Sequence, residues 1–162
     1  LQKKLYAEAQ ELVDTHRQLG HHLVIVSSAT RYQIEPVAEA LGIDHILCTE
    51  LEVSNGKLTG VVKGDICWAD GKLNAAEAWA KKQQLKLKNA WFYTDALEDL
   101  PLLDAVANPV AVNPSKDLEL HARSKDWPIC KFRSRARPSF LDVARTGEAK
   151  CPYCGTLYKL ID

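Results

Sequence analysis

The chain of 162 residues is 46% hydrophobic and 26% charged, and 21 basic side chains balance 21 acidic ones. That balance excludes a nucleic-acid or membrane-surface binder held by bulk charge, and no apolar run is long enough to span a bilayer. Methionine is absent and the chain starts Leu1-Gln2-Lys3-Lys4 with no signal-peptide pattern, so a processed chain or a fragment is expected.

Apolar positions at Leu5, Ala9, Leu12, Val13, His16 and Leu19 follow the helical period and predict a helix over residues 3–19, stopped by Gly20. Leu23-Val24-Ile25-Val26, ending in Ser27-Ser28, is a short β-branched run of the kind buried on both faces of a parallel sheet. A second helix is expected over residues 31–41, with Pro36 near its first turn and Gly42 at its end. Ile43 to Thr49 predicts a second strand, and residues 51–62 a β-hairpin on Asn55-Gly56. An Ala-rich helix follows Gly71-Lys72. Ala90 to Thr94 predicts a strand ending at Asp95, and Leu100, Leu102, Leu103 and Val106 a short helix. Val110 to Val112 is a last strand, followed by a polar helix over 115–125. Short apolar strands alternating with amphipathic helices mean an α/β fold with a parallel sheet. Chemistry in such sheets gathers at the carboxyl ends of strands, here Ser27, Thr49, Asp95 and Asn113.

The chain changes character near residues 128–131. A basic, aperiodic stretch from Lys131 to Arg137 leads to Cys151-Pro152-Tyr153-Cys154. Five cysteines with a single close pair do not form a secreted disulfide framework, so a reducing cytoplasm is expected, with Cys48 and Cys67 as buried free thiols.

Three local patterns carry chemistry, each with two readings. Asp95, straight after a strand, and Asp99, four residues on, offer hard oxygen ligands suited to Mg²⁺ beside a phosphate; alternatively both are acids favoured at a helix start. Ser27-Ser28 offers hydroxyl and N–H groups to a phosphate, or simply caps a helix. Lys72 either leans over the sheet edge as a point charge for phosphate or lies in solvent.

The order strand–Ser27, then Gly71-Lys72, then strand–Asp95-x3-Asp99 resembles the haloacid dehalogenase (HAD) superfamily, and within it the phosphoserine-phosphatase-like subfamily IB. Val26-Ser27-Ser28-Ala29-Thr30, Thr49-Glu50-Leu51 through Gly60, and Asp99 through Pro114 carry the likeness, which covers residues 1–128. The resemblance implies a Rossmannoid three-layer sandwich and phosphomonoester hydrolysis through an aspartyl-phosphate. It implies Ser27 and Ser28 on phosphate, Lys72 neutralising phosphate and nucleophile, and Asp95 and Asp99 holding Mg²⁺. A small phosphorylated metabolite is the expected partner, without nucleic acid or membrane.

Two departures stand out. The family's Asp-x-Asp nucleophile motif does not precede Ser27, and most of the helical cap is missing too. The strand that bears this motif is central in the family's sheet, so an upstream segment is expected to be missing and the chain alone to be inactive. Glu98 stands where the family has Asn, placing a negative charge close to the phosphate position.

The tail at residues 129–162 resembles a degenerate CHCC zinc finger, with Arg137-Pro138 where that family has His-Pro. Cys130, Cys151 and Cys154 are its candidate Zn²⁺ ligands, and His121 is a conceivable fourth that spacing does not favour. The alternative to an enzyme is a non-catalytic HAD domain whose zinc-binding tail engages a protein partner.

Overall fold

The computed structural model describes residues 5–133 together with the backbone of 148–150 and 157–159. The helices are α1 (Ala7–Gln18), α2 (Arg31–Leu41), α3 (Asp70–Lys82), α4 (Leu100–Ala105) and α5 (Lys116–Ser124). The strands are β1 (Val24–Thr30), β2 (His45–Thr49), β3 (Leu51–Ser54), β4 (Lys57–Val62), β5 (Trp91–Thr94), β6 (Asn108–Val112), β7 (Ile129–Cys130), β8 (Glu148–Lys150) and β9 (Leu157–Lys159). Strands β1 and β2 pair in parallel, as do β6 and β7, and the ladders are β1-β2, β3-β4, β5-β6-β7 and β8-β9. The expected α/β class with parallel pairing is therefore present. No helix among the described residues is long and apolar enough to cross a membrane.

The chain divides into two compact units. One comprises Val24–Phe92 and Leu97–Pro109. Its core joins Ala76, Leu102 and Val106 to Val26, Leu47, Leu73, Leu87, Ala90 and Phe92. Helix α3 reaches that core because Lys72, Ala76 and Ala80 recur every four residues along one buried face. Helix α2 is closed at both ends. The Gln33 side chain accepts the Thr30 N–H at 2.9 Å, and Gly42 takes the left-handed C-terminal turn at φ 64°. Pro36 lies inside α2 rather than in its first turn, so those caps hold a helix that proline weakens. The β3-β4 hairpin turns on Asn55 (φ 50°) and Gly56 (φ 73°), both left-handed as this tight turn demands.

The other unit comprises Leu1–Leu23, Tyr93–Ala96 and Val110–Asp162. Here α1 differs from expectation in kind. Its buried residues are Glu8, Glu11, Thr15 and His16, a polar stripe, while Leu12 and Val13 are half-buried. Each group whose contact is seen has a polar partner, as burial requires. Glu8 Oε1 accepts the Arg133 N–H at 2.8 Å, and Thr15 Oγ1 donates to the Glu11 carbonyl at 2.8 Å. His16 lies between two groups, with Nδ1 2.8 Å from His21 Nδ1 and Nε2 2.8 Å from the Tyr93 hydroxyl.

The boundary expected at residue 128 falls just before β7, whose residues pair with Ala111 and Val112. Asn113 extends that pairing with its side chain. Its Nδ2 donates to the Phe132 carbonyl at 3.2 Å and its Oδ1 accepts the Phe132 N–H at 3.0 Å. Cys130 is buried in β7. Cys151, Cys154 and the Arg137-Pro138 pair lie outside the described residues.

A single proton can serve the two facing Nδ1 atoms of His16 and His21, and burial lowers the His21 pKa from its ordinary 6.5. Below that pH the unfolded chain binds a proton that native His21 resists. Stability is therefore complete above about pH 6.5 and falls as pH drops through it toward the native pKa. Urea unfolding from pH 8 to pH 5 should show a falling midpoint, and the fall should be shallower in His21→Leu (about pH 6.5 being the onset).

Candidate active site

The candidate residues Ser27, Ser28, Lys72 and Asp99 all belong to the unit built on Val24–Phe92 and Leu97–Pro109. Along β1, Ser27 pairs with Cys48 and Thr30 with Thr49, so Ser28 and Ala29 are extra residues relative to β2. They form a bulge at the carboxyl end of the strand. Within it Ser27 Oγ accepts the Ala29 N–H at 3.2 Å, and the Ser28 side chain is exposed. The Ser27-Ser28 pair therefore caps no helix. Thr30 is the residue before α2.

Lys72 lies in the first turn of α3, only 9% exposed, and its Nζ meets Asp99 Oδ1 at 2.7 Å and Oδ2 at 2.9 Å. Asp99 is 2% exposed and ends the 3₁₀ turn Leu97–Asp99 that leads into α4. Asp99 stands at the start of α4, as the reading of an acid at a helix start has it, but its side chain makes no cap bond. Lys72 is not a solvated lysine, and Asp99 is the buried counter-ion of an ammonium group. Glu98, the residue that departs from the family pattern, points its charge to solvent.

Asp95 belongs to the other unit. It follows β5 with an exposed side chain, and its carbonyl accepts the Ser115 N–H at 2.9 Å. The turn after it is fastened by Thr94, whose Oγ1 accepts the Ala96 N–H at 3.2 Å.

The two cysteines expected as buried thiols differ in their surroundings. Cys67 is 3% exposed, its Sγ lies 3.6 Å from the Leu47 carbonyl, and it receives the Ser27 backbone N–H. Burial pushes the Cys67 thiol pKa up, Lys72 and the Ser27 N–H draw it down, and Asp99 adds a smaller upward push. Expected merely as a buried thiol, Cys67 thus senses three of the candidate groups. Cys48 is a different case. Only half-buried, with its thiol 3.7 Å from Glu50 Oε1, it has a pKa raised to about 11, first by burial and then by that carboxylate.

Between Cys67 and Lys72 the backbone is strained and crowded. Ala69 sits at φ 48°, ψ −118°, a conformation outside the ordinary regions for a residue with a Cβ. Gly71 is needed for space: a Cβ there would lie 2.0 Å from the Ile66 carbonyl oxygen. The Gly-Lys pair of the motif thus owes its glycine to the loop folded against it.

Among the described residues no group of three or more His, Cys, Asp or Glu side chains is arranged to hold a metal ion. Asp95 and Asp99 offer hard carboxylate oxygens. That donor chemistry fits Mg²⁺, which takes one or two protein carboxylates and fills its remaining positions with water and phosphate oxygens.

Breaking a buried ion pair on one side leaves a desolvated charge. Asp99→Asn should lower unfolding stability by about 3–5 kcal/mol, whereas the double change Lys72→Met with Asp99→Leu should lose far less. Urea titrations of the three proteins check this. A double variant as unstable as the single one would mean the cost is packing and not charge.

The sequence matches the model of the haloacid dehalogenase-like hydrolase family over residues 1–104. A probable phosphatase of Mycobacterium tuberculosis (strain ATCC 25618 / H37Rv) is 34% identical over 128 residues, covering 79% of this chain and 44% of that protein. A histidinol-phosphatase of Neisseria meningitidis serogroup C (strain 8013) is 36% identical over 126 residues, covering 75% of this chain and 57% of that protein. Among solved structures, a probable phosphoserine phosphatase from Vibrio cholerae superposes with a TM-score of 0.62 at 28% identity, over 72% of this chain and 36% of that one. The chain spans about half the length of the curated relatives it matches. With Ser27, Gly71-Lys72 and Asp95-x3-Asp99 in the family's order and the α/β fold to match, this chain belongs to the haloacid dehalogenase-like hydrolase family.

Proposed function

We propose that the chain supplies the phosphate- and metal-binding part of a Mg²⁺-dependent phosphomonoesterase that acts through an aspartyl-phosphate on a small phosphorylated metabolite. The single observation that carries this reading is the buried Lys72–Asp99 pair, 2.7 Å apart, at the start of α3. A lysine kept in a dry corner by one carboxylate is a cation prepared for a second anion, because a phosphate needs only to share it. In this reading Lys72 draws charge from the phosphoryl oxygens and from the attacking carboxylate. Ser27, with Ser28 beside it on the bulge, orients the phosphoryl group through hydroxyl and N–H donors. Asp95 and Asp99 hold Mg²⁺, which when bound supplies charge neutralisation on the phosphate oxygens. Relatives described as histidinol-phosphatase and probable phosphatase support a phosphomonoester substrate. The free thiols of Cys48 and Cys67 support a reducing, cytoplasmic setting.

No Asp-x-Asp occurs anywhere in the 162 residues, so the nucleophile is not supplied by this chain. The chain alone should show no Mg²⁺-dependent turnover of p-nitrophenyl phosphate, and joining it to a segment bearing Asp-x-Asp should create it. Asp95→Asn should abolish that turnover. Hydrolysis by the chain alone that survives Asp95→Asn would sink the assignment.

A second reading concerns the tail, as a zinc-binding module for a protein partner. Strands β8 and β9 form an antiparallel ladder on either side of residues 151–156, which include Cys151 and Cys154. His121 Nε2 is buried with no hydrogen-bond partner among the described residues, and Cys130 is buried in β7. We infer that Cys130, Cys151 and Cys154 take Zn²⁺ with His121 as the fourth ligand. Atomic absorption on the purified chain should find one zinc per chain, lost in Cys154→Ser. A zinc-free wild-type chain at neutral pH would remove this reading.

A further inference from the structure

Thr49, the last residue of β2, is 6% exposed, and its hydroxyl is fully engaged. Oγ1 donates to the Ser28 carbonyl at 3.0 Å and accepts the Cys67 N–H at 3.2 Å. One oxygen atom thereby joins the bulge that carries Ser27 and Ser28 to the loop that leads into Lys72. The ladder cannot do this work. The bulge takes Ser28 and Ala29 out of register with β2, and their backbone needs another anchor. The 63–69 loop is in the same position. It lies outside any strand, and backbone bonds hold it at Lys63 N–H to Glu50 carbonyl, 2.8 Å, and Trp68 N–H to Ile66 carbonyl, 2.9 Å. The bond from Thr49 to the Cys67 N–H places the loop against the bulge, beside the Ser27 N–H that the Cys67 thiol receives.

We propose that Thr49 is a positioning residue for phosphate binding: its hydroxyl sets the Ser27–Ser28 bulge and the approach to Lys72 at the spacing one phosphoryl group requires. The proposal rests on the phosphate reading above. Thr49 touches no substrate in this scheme and acts only through the two segments it bridges. A hydroxyl that donates once and accepts once is required. Valine, of the same shape, would leave the Ser28 carbonyl and the buried Cys67 N–H both without this partner. Serine keeps both bonds and loses only a methyl group.

The test uses the 162-residue chain with inorganic phosphate and Mg²⁺ in a calorimetric titration, beside amide hydrogen exchange at Cys67. Thr49→Val should weaken phosphate binding about tenfold and speed exchange at the Cys67 amide, the price of one buried bond on each side. Thr49→Ser should restore both to near the wild-type values. Leu103→Ala, a buried change in the core, serves as the control for lost stability and should leave phosphate affinity unchanged. Phosphate binding by Thr49→Val as tight as wild type overturns the positioning role while leaving the phosphate reading intact. So does binding by Thr49→Ser as weak as that of Thr49→Val. A wild-type chain that binds no phosphate overturns the phosphate reading and this proposal together, whatever the exchange at Cys67 shows.

Discussion

The interaction on which the site depends is the pairing of Lys72 with Asp99 out of water. Neither charge is tolerable there alone, since the desolvation penalty of each is several kcal/mol and is recovered only by the other. The pair consequently fixes where two helices begin. Helix α3 must present its first turn toward the 3₁₀ turn that opens α4, and the apolar residues behind each charge, Ala76 and Leu102, then meet in one core. Packing and electrostatics ask for the same arrangement, which is what gives a short segment such as α4 a unique place.

Around that pair the local geometry is arranged at some cost. Ala69 is held in a conformation that side chains avoid, and the β1 ladder is interrupted by two residues at the point where it carries Ser27 and Ser28. Strain and lost pairing of this kind persist only where neighbouring structure enforces them. Here the enforcing groups are visible: the Thr49 hydroxyl, the buried Cys67 and the carbonyl of Ile66 against Gly71.

Much of the fold was legible because it follows from periodicity and turn chemistry. The β-branched run ending at Val26, the Asn55-Gly56 hairpin and the Gly42 helix stop are local signals, and each element stands where its signal lies. Helix α1 was found but its face was misread. Apolar periodicity assumes that burial goes with hydrophobicity and places His16 on the buried face, whereas Glu8 is buried against Arg133, distant in sequence, and Thr15 by its bond to the Glu11 carbonyl one turn back. Strand β7 has only two residues, too few for any period, and Asn113 looked like a site residue because a polar strand end is also what a structural clamp requires. Of the candidate site, the types and order of Ser27, Lys72, Asp95 and Asp99 were readable. That Lys72 and Asp99 neutralise one another was not, since contacts 27 residues apart leave no trace in spacing.

The contact between Gly71 and Ile66 separates two kinds of information that a sequence normally merges. Gly71 has no unusual φ, so its identity is dictated wholly by a neighbour's backbone oxygen. At Ile66 it is the carbonyl that crowds Gly71, while the side chain is 58% exposed. Anyone resurfacing this chain to raise its solubility can therefore exchange Ile66 for a charged residue and keep the loop. The smallest residue in the motif is the one that admits no exchange.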